Sequence, residues 1–159
     1  MTLHLRTAAR ALIVDDDDQV LLVRFVFPSG IEAWALPGGG LEDGETDEDG
    51  LRRELYEELG LVDVEIGPHI WSREHVIPMV TGHDGQRERV HTIHIPHFEP
   101  APTIGWERLR AEFVHEMRWW TADEIQAAVG TRFAPGRLGE LYRDYLAHGP
   151  PSAPIDTGI

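Results

Sequence analysis

The sequence predicts an α/β domain, a mixed and partly antiparallel sheet covered by helices. Runs of apolar and β-branched residues at strand length recur between Ala8 and Trp120. Short polar turns join several of them as hairpins, and stretches of helical periodicity are interleaved among them. The 159 residues suit one domain, expected over 1–148, with a proline-rich tail over 149–159 that is extended or mobile.

The first hairpin pairs Ala8 to Val14 with Val20 to Phe27 across Asp15-Asp16-Asp17-Asp18. Those four aspartates lack the alternating spacing and the glycine of a calcium loop, so they read as a solvated turn. Trp34-Ala35-Leu36-Pro37 leads into Gly38-Gly39-Gly40. Leu51, Leu55 and Leu59 then repeat every fourth residue, the apolar stripe of a helix from Thr46 to Leu59. Thr46 suits its N-cap and Gly60 its C-terminal cap, while Gly50 inside costs about 1 kcal/mol against alanine. Val62, Val64 and Ile66 alternate with acidic residues and predict a half-buried strand. Further strands are expected over Ile70 to Val80 and Val90 to Phe98, separated by a Gly82 to Gly85 turn, and over Met117 to Trp120. Thr121 and Glu124 form a capping box for a helix through Ala128. A last helix is expected over Arg137 to Ala147, with Leu138, Leu141, Tyr142 and Tyr145 inward.

Composition excludes several chemistries. The chain has no cysteine, and its 14 basic side chains are all arginine. A disulfide framework, a thiolate metal site, a thiol nucleophile, a Walker-type phosphate loop and a Schiff-base lysine are therefore ruled out. A net charge of -14 argues against nucleic acid or an anionic membrane as partner. Met1 to Arg10 lacks the apolar core of a signal peptide, and no run is long enough to span a bilayer. The expected location is the cytoplasm. The arginine- and alanine-rich composition resembles that of a GC-rich bacterium.

One stretch outweighs the rest: GGLEDGETDEDGLRRELYEELGL, from Gly39 to Leu61. On a helix, Glu54, Glu57 and Glu58 share one face while the leucines take another. Three like charges repel unless a cation sits among them, and such oxygen ligands suit magnesium or manganese with substrate phosphates. A solvated acidic face is the plain alternative. The glycine run before it favours the ion, because its backbone can approach an ion or a phosphate closely.

This stretch resembles the box of the Nudix hydrolases. Gly39, Glu45, Arg53, Glu54, Leu55, Glu57, Glu58, Gly60 and Leu61 fill every specified place, a coincidence on the order of once in 10⁹ starts at ordinary residue usage. The resemblance implies an α/β/α sandwich around a mixed sheet. It implies Glu54, Glu57, Glu58 and the Gly38 carbonyl as ligands of Mg2+, with Mn2+ as substitute, and Arg53 as a brace to Glu45. The activity implied is hydrolysis of a nucleoside diphosphate linked to another moiety, by water attack on phosphorus. The partner is a small nucleotide, and a homodimer is compatible with the family.

The general base is expected either in the box, with Glu54 the first suspect, or on a later loop. Glu112 and Glu116 precede the last strand, with a slight preference for Glu116; Glu99 is a poorer candidate. His91, His94 and His97 are spaced by threes, which places neighbours on opposite strand faces and argues against a shared metal site. The five tryptophans read mostly as core. Pro78 lies near where members cleaving ADP-ribose tend to carry a proline, and equally suits a strand edge; nucleoside triphosphates are a comparable substrate. A non-catalytic nucleotide-sensing module is the rival reading, and such modules usually lose box carboxylates.

Overall fold

The computed structural model describes residues 2–76 and 82–158, so Pro78 lies outside the described residues. Its first strand, β1 (Leu5–Val14), turns at the aspartates into β2 (Val20–Val26), the two meeting antiparallel at Val14 and Val20. Asp15 builds the turn: its Oδ1 accepts from the amides of Asp17 and Gln19, both at 2.9 Å, and Asp18 takes a φ of 57°. A short carboxylate bonded to its own backbone tolerates that left-handed step.

From Val14 back toward Leu5, β1 parts from β2. One edge goes to β4 (Gly38–Gly40), antiparallel, and the other to β6 (Gly85–His94), parallel along its whole length. β2 instead pairs with β3 (Glu32–Ala35) and β7 (Val114–Trp120), while β5 (His69–Val76) lies antiparallel on β6. Two short strands, β8 (Phe133–Ala134) and β9 (Ile155–Asp156), add parallel to β3 and β5. The path is β8-β3-β2-β1-β6-β5-β9.

Alternation along β1 and β2 divides the core into two layers. Ala9, Ala11, Ile13 and Leu21 pack with Leu51, Leu55 and Leu59 of α1 (Asp47–Leu59). The small alanines admit the helix close to the sheet, and each buried leucine contributes roughly 1.5–3 kcal/mol. Leu12, Val14, Val20 and Leu22 face the other way, onto α3 (Ala122–Ala127) and α4 (Leu138–His148). The sheet is thus sandwiched between helices, as expected. Among the described residues no helix is long and apolar enough to cross a membrane.

Local signals for α1 hold. Thr46 accepts from the Asp49 amide at 3.1 Å, and Gly60 closes the helix at φ 75°, where a Cβ would overlap the Ala101 carbonyl. The Thr121–Glu124 capping box is also present. Other expectations need correction. Val62 to Ile66 forms no strand: Asp63 adopts φ 54°, Val62 is exposed, and both edges of β6 are already taken by β1 and β5. Of this alternating set Val64 is buried in the core and Ile66 packs against it partly buried. The strand expected to reach Phe98 ends at His94, and the last main strand starts earlier, at Val114. A short helix, α2 (Trp106–Ala111), was not foreseen. The tail is extended and bonds the sheet edge, the Thr157 amide donating to Ser72 O at 2.9 Å.

Candidate active site

The glycine run and the acidic helix meet beside β1. Gly38, at φ 132°, adopts a backbone angle that side chains disfavour, and a Cβ there would overlap Ala9 O. A Cβ on Gly39 would stand 2.6 Å from the Glu54 carboxyl carbon. Glycine is therefore what lets β4 cradle that carboxylate. Gly50 has a similar role, since a Cβ there would overlap the Leu41 side chain and stand 3.2 Å from Glu45 Oε1. Helix propensity alone charged Gly50 as a cost and missed that it seats the loop carrying Glu45.

Arg53 braces that loop. Its Nε and Nη2 donate to the two Glu45 oxygens at 2.9 and 2.8 Å, Nη2 also reaches Gly40 O at 3.1 Å, and Nη1 donates to Glu54 at 2.9 Å. The fork on Arg53, then the Glu42 amide, hold the Glu45 carboxyl down at about 2. Arg53 is raised in turn, by Glu45 first.

The three glutamates differ in setting. Glu58 is buried and accepts from the Gly38 amide at 3.2 Å. Burial pushes its pKa up to about 8, against the pull of Arg10. Glu54 is also raised by burial, against Arg53. Glu57 is half-buried, 3.7 Å from Arg53 Nη1. Glu54 and Glu57 line a cleft of about 920 Å³ that also receives Arg6, Arg53 and Glu112.

The Gly38 carbonyl, expected as a backbone ligand, accepts from Arg10 Nη1 at 3.0 Å. Arg10 also stands 3.5 Å from Glu88, which Arg73 holds at 3.0 Å. Sequence reasoning missed Arg10, although an arginine within the Ala-Arg-Ala-Leu run of β1 was the available signal. Among the described residues no three carboxylate or imidazole groups converge closely enough to grip an ion as they stand. The guanidinium of Arg53 and the Gly38 amide hold them instead. The donor set still suits a hard cation. Two carboxylates are kept under burial that favours their neutral forms, beside a glycine cradle, and an added positive charge would relieve that cost.

Glu112 caps α2 and reaches the cleft because the following Phe113 adopts φ 71°, turning the chain into β7. Glu116, preferred from sequence, needs correction. Its register opposite Arg24 places it with Trp120 and Val20, on the α3 and α4 side of the sheet, away from α1. There it ion-pairs with Arg24 at 2.9 Å, and Arg24 also binds Glu32 at 2.6 Å. Glu99 is exposed near His97, at 3.5 Å. The three histidines go separate ways, His91 to Asp47, His94 to Tyr145 and His97 to Asp15. Asp47, the first residue of α1, is also held by a two-pronged bond from Arg89 on β6, at 2.7 and 2.6 Å. This tie between the helix start and the sheet was invisible in sequence, because 42 residues separate the partners.

Comparison with known proteins agrees with this geometry. A NUDIX domain family model matches residues 4–141. Nucleoside triphosphatase NudI of Escherichia fergusonii is 38% identical over 87 residues, 52% of this chain and 60% of that protein. The chain thus spans less than two thirds of the curated relatives it matches. The MutT protein of Methanosarcina mazei superposes with a TM-score of 0.67 at 17% identity, covering 92% of this chain and 96% of that one. The NUDIX domain of Shewanella oneidensis NrtR, solved with ADP ribose, gives 0.65 at 20% identity over 92% and 90%. These two likenesses concern the fold alone. With a complete box folded into a glycine-cradled acidic helix and a family match over most of its length, the chain belongs to the Nudix hydrolase family.

Proposed function

We propose that this chain is a divalent-cation-dependent pyrophosphohydrolase that cleaves a nucleoside diphosphate derivative by water attack on phosphorus. The observation that carries the reading is a pair of carboxylates on one helix, Glu54 part-buried on the cleft wall and Glu58 buried behind it. Both are raised by burial although Arg53 and Arg10 act on them. Such burial is costly without a counter-charge.

In this reading Glu54, Glu57 and Glu58 would hold Mg2+ or Mn2+, and the Gly38 carbonyl, which accepts from Arg10, would be a further ligand. The ion, when bound, supplies charge neutralisation of the pyrophosphate and acidifies a water. Arg53 fixes the direction of Glu54 and keeps the Glu45 loop against the helix. Glu112, on the cleft wall, accepts a proton from the attacking water. β4, lacking side chains, lets the phosphate chain approach the backbone.

A nucleoside triphosphate is the favoured substrate, supported by the name of the NudI relatives; ADP-ribose is the second, supported by the ligand of the NrtR domain. The same reading makes the chain a cytoplasmic bacterial enzyme acting on free nucleotides, without nucleic acid or membrane as partner. The test is release of phosphate, pyrophosphate or mononucleotide from a panel holding both classes, with magnesium and then with excess chelator. Cation-dependent release that Glu57→Gln abolishes is expected. Undiminished turnover in chelator overturns the reading.

A further inference from the structure

Four arginines line the cleft, and three of them are accounted for or fully solvated. Arg53 is forked onto Glu45, Arg89 is forked onto Asp47, and Arg108 of α2 is exposed. Arg6 is different. It is half-buried in β1 and makes no hydrogen bond or ion pair among the described residues. Its guanidinium lies against β4, so close that a Cβ on Gly40 would overlap Nε and Nη2. Glu54 and Glu112 are near enough to act on its charge, yet neither bonds it.

Holding a guanidinium there carries a desolvation cost that Glu54 and Glu112 offset only in part. Burial, then Arg10, pull its pKa below the ordinary arginine value. A cation kept partly desolvated and without a partner is completed by an anion that arrives from outside. The planar guanidinium fork suits two non-bridging oxygens of a phosphate better than any other common anionic group except a carboxylate. A Cβ on Gly39 would meet Glu54 and one on the next residue, Gly40, would meet Arg6, so the two groups approach β4 from opposite sides.

We infer that Arg6 binds the phosphate chain of the substrate, gripping non-bridging oxygens across β4 from Glu54. The inference rests on the pyrophosphohydrolase reading above and deepens it by adding a phosphate-binding residue outside the Nudix box. Recognition is of phosphate and not of the base. Gly40 belongs to the device, because only a residue without a Cβ leaves room for the guanidinium.

The test is binding of inorganic pyrophosphate, measured by calorimetry in magnesium, to the full chain and to two variants. Arg6→Gln removes the charge, and Gly40→Ala keeps the charge while denying it its seat. Both should weaken pyrophosphate by about 10- to 100-fold, the worth of a charged hydrogen-bonded pair. Affinity for a nucleoside triphosphate should fall by the same factor. The melting temperature of Arg6→Gln should hold or rise, because the native side chain has no partner to lose. Arg6→Lys should fall between wild type and Gln, since a point charge replaces a fork. Unchanged pyrophosphate affinity in Arg6→Gln, or a loss matched by a lower melting temperature, overturns the assignment. Pyrophosphate binding that depends on Arg6 in a protein that hydrolyses no nucleotide would uphold it while overturning the catalytic reading.

Discussion

Glu112 and Glu116 stand four residues apart, yet the backbone sends them to different layers. Glu112 ends α2 and opens onto the cleft, whereas Glu116 is held by Arg24 on the opposite face of the sheet. Glu112→Gln should therefore lower kcat by about 10² to 10⁴-fold, the worth of a positioned base, with the cation titration nearly unmoved. Glu116→Gln should leave kcat close to wild type. A cation affinity that collapses with Glu112→Gln would make that residue a ligand, and a damaging Glu116→Gln would contradict the face assignment. Sequence spacing could not separate the two. What separates them is φ 71° at Phe113, and a bulky aromatic gives no warning of a left-handed step. The grouping of Glu54, Glu57 and Glu58, by contrast, was legible from helical spacing, whereas the brace from Arg53 to Glu45 was expected only from the resemblance to the Nudix box. Arg10 escaped notice because its partners, Gly38 and Glu88, lie on other strands, and Arg6 because only the packing of β1 beside β4 brings it to the cleft.

At the scale of elements, legibility follows the range of the forces involved. α1 was readable because its cap, leucine stripe and terminal glycine are all local, and α4 for its inward Leu138, Leu141, Tyr142 and Tyr145. Val62 to Ile66 has the right alternation but no vacant sheet edge, a fact set by strands far along the chain. The turn between β1 and β2 shows both kinds of force. Its amides bond Asp15 locally, and the same buried carboxylate pairs with His97 from beyond β6 at 2.8 Å. Burial raises the Asp15 carboxyl, but His97 and the amides of Gln19 and Asp17 outweigh it and hold it below the ordinary value. His97 is raised, by Asp15 first. The signs give a window. Asp15's contribution is present above its unfolded pKa, about 4, and is lost as pH falls through the lower folded value. That of His97 is present below about 6.5 and lost as pH rises through its raised folded value. The stability gap between wild type and His97→Gln in urea should thus be largest between those limits and narrow at pH 9. Asp15→Ala should cost about 1–3 kcal/mol at pH 6, because buried turn amides lose their acceptor. A gap that does not vary with pH would show that the pair is not ionised in the folded protein.

Taken as a whole, the molecule sets an acidic helix into an acidic chain. Its net charge of -14 repels an anionic substrate at long range, and the site concentrates further charge in Glu54, Glu57 and Glu58. A bound cation should therefore stabilise the entire fold, not merely the reaction. A ligand that binds only the native state at 100 times its Kd adds about 2.7 kcal/mol. For a chain of this size that corresponds to roughly 5–10 °C in melting temperature. Magnesium should produce such a rise, saturating with concentration, and chelator should reverse it. Part of any rise is general screening of the net charge, so sodium chloride at matched ionic strength measures that share. Glu58→Gln separates the two contributions. The Glu58 carboxyl, raised to about 8 by burial, favours the native state below its unfolded pKa, and that contribution is lost as pH climbs to the folded value. Without metal at pH 7, then, the Gln variant should melt above wild type. With magnesium it should gain only what sodium also gives, so the order of the two proteins narrows or inverts. A variant that keeps the full saturable magnesium shift would move the cation away from α1, and with it the reading of the box glutamates as ligands.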